Sequence, residues 1–373
     1  MRVEPFSHIH GGSPEQDMHR LRIPTGPVLD FSVNLNPLGP PPEIRRRWSE
    51  FYPSIAHYPH NDGRGVAQYY RSIFNIHPDH FLAGNGSTEM IYLVPRVFEF
   101  KRVAVISPSY HDYERASRLA GGEILRVPLS FQQDFAFPSH ERLSEVLQGV
   151  DAVCMARPNN PTGNLFPKAD VLQLAHQFPD VRFIVDEAFI QFVSDWERQS
   201  LLFEAPRYNI LVLHSLTKFF SVPGLRLGGV FADSAHIARL KKAKEPWSVN
   251  AVADRVGPLL AADPHYDQAT REGIGRERRK IHDRISRMEG ILPYPSTANF
   301  MLCRWTRTKN LDDLLTHLLS NGLYVRDCRN FPGLADNFFR LGIKGPKADD
   351  RLLSLLASSG TITPPPGSCS NST

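Results

Sequence analysis

Along the first two-thirds of the chain, short apolar runs alternate with amphipathic stretches of mixed charge. Residues 81–83, 103–106, 151–156, 182–185 and 210–213 are apolar at nearly every position. A strand buried on both faces reads this way, whereas a half-exposed strand alternates. Between these runs, apolar positions recur at helical spacing over residues 66–74, 90–97 and about 109–119. Strand and helix in alternation predict an α/β fold on a mainly parallel sheet. A short strand at 29–33 precedes the set, and Pro42 opens a helix at 43–51. Residues 231–233 close it.

The rhythm then changes. A basic helix at 235–244 is broken by Glu245-Pro246-Trp247-Ser248-Val249-Asn250, and helical patterns continue over 252–261 and 266–288. Strands at 298–303, 323–327 and 337–343 surround a helix at 311–320, and a last helix covers 348–356. The expected organisation is a large, mainly parallel-sheet domain with a smaller α+β domain. Residues 1–45 form an N-terminal arm and part of the small domain, 46–262 the large domain, and 263–357 the small C-terminal domain. Residues 358–373 are rich in Ser, Thr, Pro and Gly and are expected to be a disordered tail.

The chain has 373 residues, 41% hydrophobic and 22% charged, with a net charge of +4. That is an ordinary globular composition, and acids and bases are mixed, which argues against a nucleic-acid surface. Small phosphorylated or carboxylated substrates fit better. Cys154, Cys303, Cys328 and Cys369 lie far apart with no C-x-x-C pair, so no metal site is expected and a reducing cytoplasm is the default. Residues 1–13 are polar, without an apolar signal core, and no segment approaches the ~20 apolar residues of a membrane span.

Candidate chemistry centres on Ser215-Leu216-Thr217-Lys218, directly after the run at 210–213, with Arg226 eight positions on. Lys218 can hold a carbonyl carbon as an imine while Ser215, Thr217 and Arg226 hold a phosphate dianion; a phosphorylated aldehyde asks for both. The alternative is a strand end and a basic loop. Gly84-Asn85-Gly86-Ser87-Thr88 joins a strand to a helix. It is either a phosphate site at a helix N-terminus or an ordinary cap at Ser87 or Thr88. Tyr110, beyond the strand at 103–106, can stack on a flat ring or pack in the core. Asp186 ends a strand where open α/β sheets bind ligands, or it caps a helix. Asn160-Pro161-Thr162-Gly163 and Asn34-Leu35-Asn36-Pro37 read as turns whose amides can also face a ligand. His10-Gly11-Gly12 permits close backbone approach or belongs to a flexible arm.

Taken together, these pieces resemble the pyridoxal-phosphate enzymes of the aspartate aminotransferase fold, over about residues 31–356. By that resemblance Lys218 is the Schiff-base lysine, Asp186 partners the pyridine nitrogen, Asn160 lies near the phenolic oxygen and Tyr110 stacks on the ring. Gly86, Ser87, Thr88, Ser215, Thr217 and Arg226 form the phosphate cup. Arg340 resembles the arginine that binds the substrate α-carboxylate. Tyr58 resembles a tyrosine that reaches the cofactor phosphate across a homodimer interface.

Two branches of the family compete. Histidinol-phosphate aminotransferases are one. Threonine-phosphate decarboxylases of cobalamin biosynthesis are the other, and this chain is similar to them in several motifs. These are His10-Gly11-Gly12, Asp30-Phe31-Ser32, Asn34-Leu35-Asn36-Pro37-Leu38-Gly39, Ser215-Leu216-Thr217-Lys218-Phe219, Pro246-Trp247-Ser248-Val249-Asn250 and Asn330-Phe331-Pro332-Gly333-Leu334. Phe189 stands where the aminotransferases carry a tyrosine. The resemblance implies decarboxylation of L-threonine O-3-phosphate, with His10, Asn34 and Arg326 as candidates for the substrate phosphate. L-serine O-phosphate is a nearer alternative substrate.

Overall fold

The computed structural model describes residues 11–308 and 310–359. His10, with the rest of residues 1–10, and residues 360–373 of the expected tail lie outside the described residues.

Strand β1 (Leu29–Asp30) comes first. The next seven are β2 (Phe81–Asn85), β3 (Arg102–Ser107), β4 (Glu123–Pro128), β5 (Ala152–Ala156), β6 (Arg182–Asp186), β7 (Ile210–Ser215) and β8 (Leu227–Phe231). They form one sheet in the order β2-β8-β7-β6-β5-β3-β4. β8 runs antiparallel to both neighbours, and the other pairings are parallel. The sheet is therefore mainly parallel, as the apolar runs predict. Along β6, Phe183 and Val185 face one core while Ile184 faces the other. Both faces are covered, so the period-2 alternation of a one-sided strand is absent. The edge strand β4 escapes sequence reading because of its six residues only Val127 is buried. Helices His140–Leu147 and Lys168–Gln177 were likewise not foreseen.

A second sheet contains β9 (Ile291–Pro293), β10 (Phe300–Trp305), β12 (Arg326–Asp327) and β13 (Phe338–Gly342), in the antiparallel order β12-β13-β10-β9. β11 (Leu323–Tyr324) instead pairs in parallel with β1. The expected strand at 323–327 is thus two pieces, broken at Val325 and shared between two sheets. The expected strand at 29–33 is also shorter. Only Leu29 and Asp30 join the ladder, and Ser32 N–H turns to the Asp30 carboxylate at 2.6 Å. This turn releases Ser32, Val33 and Asn34 from the sheet.

The helices need smaller corrections. The one expected at 43–51 breaks at Arg47 into Pro42–Arg46 and Trp48–Phe51. That at 252–261 is α-helical over Ala251–Val256 and tightens to a 3-10 turn over Gly257–Ala261. The last helix, Pro346–Ser358, includes Ser358, and Ser359 is buried, so the tail does not begin at 358. No described helix is long and apolar enough to cross a membrane.

Candidate active site

β5, β6 and β7 run in parallel, so their carboxyl ends share one edge. They deliver Ala156, Asp186 and Ser215 to that edge, where open α/β sheets bind ligands. A cavity of about 420 Å³ lies there. Its wall includes Asn34, Ser87, Thr88, Tyr110, Asn160, Asp186, Ser215, Thr217, Lys218, Arg226, Arg326 and Arg340. Residues separated by some three hundred positions are thereby gathered around one space.

One end is a phosphate-sized cradle. The helix Gly86–Phe98 begins directly after β2, earlier than the apolar pattern at 90–97 shows. Ser87 and Thr88 sit in its first turn and neither caps it, which frees their hydroxyls for the cavity. Arg226 donates to the Thr88 hydroxyl at 3.1 Å. Gly86 holds φ +71, and a Cβ there would lie 3.0 Å from the Arg226 guanidinium. Glycine thus lets the guanidinium close over the helix N-terminus, where peptide dipoles also favour an anion.

Lys218 follows β7 in the loop beneath this cradle. Burial, with Arg340, Arg226 and Lys344 nearby, lowers its ammonium to about 8, against the pull of Asp186. Such an amine is a far better nucleophile at neutral pH than a surface lysine. Asp186 is buried, which raises its carboxyl above the ordinary range. Two donors oppose that rise: Tyr113 O–H at 2.7 Å and Ala188 N–H at 2.8 Å.

The opposite wall carries arginines. Arg340 on β13 donates to the Ser32 carbonyl at 2.7 Å and to the Asn160 carboxamide oxygen. An amide held by its oxygen presents its nitrogen as donor. Burial brings the Arg340 guanidinium down to about 10, still charged at neutral pH. Arg326 on β12 is also buried, donates to Asn330 at 2.8 Å, and lies 5.4 Å from the Phe331 ring centre. Asn34 is buried, and its Oδ1 has no hydrogen-bond partner among the described residues. Asn36, by contrast, turns into the core and donates to Phe219 O, Tyr266 and Thr270.

Two of the residues expected at the site are not brought to it. His10 lies outside the described residues, though Gly11 does line the cavity. Tyr58 is 83% exposed and packs on Trp247 at 4.9 Å, outside the cavity of its own chain. Sequence reading missed Tyr113, His111, Asp112 and Phe331, which also line the space. The spacing Tyr110-x-x-Tyr113 at a helix start was the available signal for the first of these.

The donor set fits pyridoxal phosphate. A buried carboxylate, an activated amine and a cradle for a dianion surround a cavity large enough for a ring. Asn34 Oδ1 and the buried Arg340 Nε still lack partners among the described residues.

Known proteins agree. The model of the aminotransferase class I and II family matches residues 26–354. The chain is 33% identical to the threonine-phosphate decarboxylase of Salmonella typhimurium over 357 residues, covering 94% of this chain and 96% of that one. The histidinol-phosphate aminotransferase of Clostridium acetobutylicum has a TM-score of 0.83 at 28% identity, covering 89% of this chain and 98% of that one. The L-threonine-O-3-phosphate decarboxylase of Porphyromonas gingivalis shares the fold, with a TM-score of 0.79 at 23% identity over 88% of this chain and 98% of that one. The chain therefore belongs to the aminotransferase class I and II family, and is an enzyme whose cofactor is pyridoxal 5'-phosphate.

Proposed function

We propose that this enzyme decarboxylates L-threonine O-3-phosphate to (R)-1-amino-2-propanol O-2-phosphate and carbon dioxide, in cobalamin biosynthesis. The observation that carries the reading is the pair of buried guanidinia, Arg340 and Arg326, on the wall of the cavity that holds Lys218. The substrate bears two anionic groups besides its amine, and these two cations match them. The 33% identity to a threonine-phosphate decarboxylase supports the same choice.

Bound pyridoxal phosphate supplies an electron sink for the pair released when a bond at Cα breaks. Lys218 Nζ would hold the cofactor's aldehyde carbon until the substrate amine takes its place. Asp186 would partner the pyridine nitrogen, Asn160 would donate to the phenolic oxygen and Tyr110 would stack on the ring. Gly86, Ser87, Thr88, Ser215, Thr217 and Arg226 would hold the cofactor phosphate. Arg340 binds the substrate carboxylate. Asn34 and Arg326 hold its phosphate, with His10 from the N-terminal arm as a further candidate. Fixing both ends of the substrate sets which Cα bond aligns with the ring. With Arg340 and Arg326 holding the substrate, the bond placed to break would be Cα–carboxylate, releasing carbon dioxide, and Lys218 Nζ or water would return a proton to Cα.

Phe189 supports the decarboxylase branch. Its ring is buried 5.0 Å from Phe300 and offers no hydroxyl to the cofactor. The lost hydrogen bond is worth about 1 kcal/mol, enough to retune the site without disabling it. The proposal includes a cytoplasmic homodimer divided into the domains 46–262 and 263–357, with Tyr58 of each chain serving the other's cofactor phosphate. The exposure of Tyr58 in the single chain supports that role.

The second reading is a histidinol-phosphate aminotransferase, favoured by the TM-score of 0.83. A product assay across threonine phosphate, serine phosphate and histidinol phosphate with 2-oxoglutarate tests both. Carbon dioxide release from threonine phosphate is expected. Amino transfer from histidinol phosphate without carbon dioxide release overturns the proposal. Faster release from serine phosphate moves the substrate to the nearer analogue, since one methyl is worth only ~1–3 kcal/mol.

A further inference from the structure

Asp186 reaches the cavity from the end of β6, and Tyr113 meets it from the first turn of the helix Asp112–Leu119. The two touch across 73 positions of sequence: the Tyr113 hydroxyl donates to Asp186 Oδ2 at 2.7 Å, while Ala188 N–H donates to Oδ1 at 2.8 Å. Tyr113 is 4% exposed and Asp186 6%. Neither bond competes with solvent, and each oxygen keeps lone-pair capacity for one more donor. We infer that Tyr113 is a positioning residue for the cofactor's ring nitrogen: its hydroxyl keeps the Asp186 carboxylate ionised and aimed, and so keeps the proton on the ring.

The ring nitrogen and the Asp186 carboxylate share one proton. A ring nitrogen stays protonated only beside a carboxylate that is the weaker base of the two. Burial makes the Asp186 carboxylate a stronger base, and hydrogen bonds to its charged form make it a weaker one. Of those donors, the backbone N–H of Ala188 is common to any residue in that turn, whereas the Tyr113 hydroxyl is a side-chain choice. The other titratable groups facing Asp186 are Lys218, from the loop after β7, and Tyr110. Lys218 would cease to carry a free ammonium once it holds the cofactor, which leaves Tyr113 as the fixed side-chain donor beside the Ala188 N–H. Tyr113 itself is held far into its protonated form, by burial first and then by the Asp186 charge, so it acts as a donor only.

Tyr110 and Tyr113 also divide their labour. Tyr110 interacts with Asp112, which accepts from Tyr92 at 3.0 Å. That chain orients a ring on the cavity wall, whereas Tyr113 acts on a charge. The inference rests on the pyridoxal-phosphate family and holds whichever phosphorylated substrate is turned over.

The test loads the purified Tyr113→Phe holoenzyme with pyridoxal phosphate labelled with nitrogen-15 in the ring, without substrate. The phenylalanine keeps the ring packing and removes only the donor. The expected result is a nitrogen-15 resonance moved from the pyridinium position towards neutral pyridine while the cofactor stays bound. A resonance identical to that of the parent enzyme overturns the inference, because a purely structural tyrosine would leave it unmoved. Should Tyr113→Phe take up no cofactor, 3-fluorotyrosine placed at position 113 decides. Its more acidic hydroxyl is the stronger donor, so a nitrogen-15 resonance moved further towards the pyridinium position than the parent's supports the inference, and an unmoved resonance overturns it.

Discussion

Arg326 and Arg340 stand directly opposite each other in the antiparallel pairing of β12 with β13, and both are buried. Two buried guanidinia side by side repel, and burial weakens the screening that water would give them. Arg340 is brought down in part by Arg326. Such a pair is stable only with partners, and the two have divided them. Arg340 takes Ser32 O and Asn160, and Arg326 takes Asn330 and the face of Phe331. The proposed substrate, with its two anions, would complete the neutralisation.

The division predicts two distinguishable failures. Arg326→Gln should lower kcat/KM for threonine phosphate about 10- to 100-fold, the range of one lost charge-assisted hydrogen bond or two. It should also erase the preference for threonine phosphate over threonine. Arg340→Gln should lower kcat/KM for both compounds and leave their ratio unchanged. Steady-state kinetics with the two substrates checks this; equal ratios in both variants would refute the assignment of carboxylate and phosphate.

Lys218 makes the cofactor-free protein pH-sensitive. Its ammonium is lowered to about 8 in the fold, by burial first and then by Arg340, Arg226 and Lys344; an unfolded chain releases that proton only near ~10.4. Below pH 8 the lysine is charged in both states, and the folded state bears the desolvation cost. Between the two values the unfolded chain holds the extra proton, so stability rises with pH through that window. Lys218→Met should therefore stabilise the cofactor-free enzyme at pH 7 by about 3 kcal/mol, with the gap closing by pH ~10.5. Urea denaturation of both proteins at pH 7 and 10 measures it. The same variant should take up no borohydride-reducible cofactor.

Beneath the site, Arg157 and Glu187 form a fully buried ion pair at 3.0 Å. Glu187 also accepts from Ser200 and from Leu201 N–H, and Arg157 donates to Phe166 O and Gln199 O. Glu187→Gln leaves the arginine's charge uncompensated and should cost about 3–5 kcal/mol of stability. The denaturation midpoint reads this loss, and a variant within 1 kcal/mol of the parent would mean that water reaches the pair.

Gly11 touches the site through backbone. A Cβ at this position would lie 2.5 Å from Ser32 O, the carbonyl that accepts from Arg340. Gly12 N–H also donates to Ser32 Oγ at 2.7 Å. Gly11→Ala must push Ser32 or the arm aside, so kcat/KM should fall about tenfold or more. Steady-state kinetics of the holoenzyme measures the fall, and a kcat/KM equal to that of the parent enzyme would contradict it.

The sequence by itself determined the central sheet and the parts of the cavity that sit at strand ends. Uninterrupted apolar runs mark β5, β6 and β7 because both of their faces are buried, and the residues that follow such runs must emerge at the sheet's carboxyl edge. Asp186, Ser215, Thr217 and Lys218 were legible for this reason, as was the glycine and hydroxyl turn before the helix Gly86–Phe98. Tertiary structure decided what depends on register and on packing between distant segments. The opposition of Arg326 to Arg340 follows from how β12 pairs with β13, and the Tyr113–Asp186 bond from how the start of the helix Asp112–Leu119 meets the end of β6. The break at Val325, which sends Leu323-Tyr324 to β1 and Arg326-Asp327 to β13, has no local signature, because five apolar or charged residues in a row suit one strand as well as two. Local pattern reports how deeply a segment is buried; which segments meet is set by the free energy of the whole core, and a short window of sequence does not contain it.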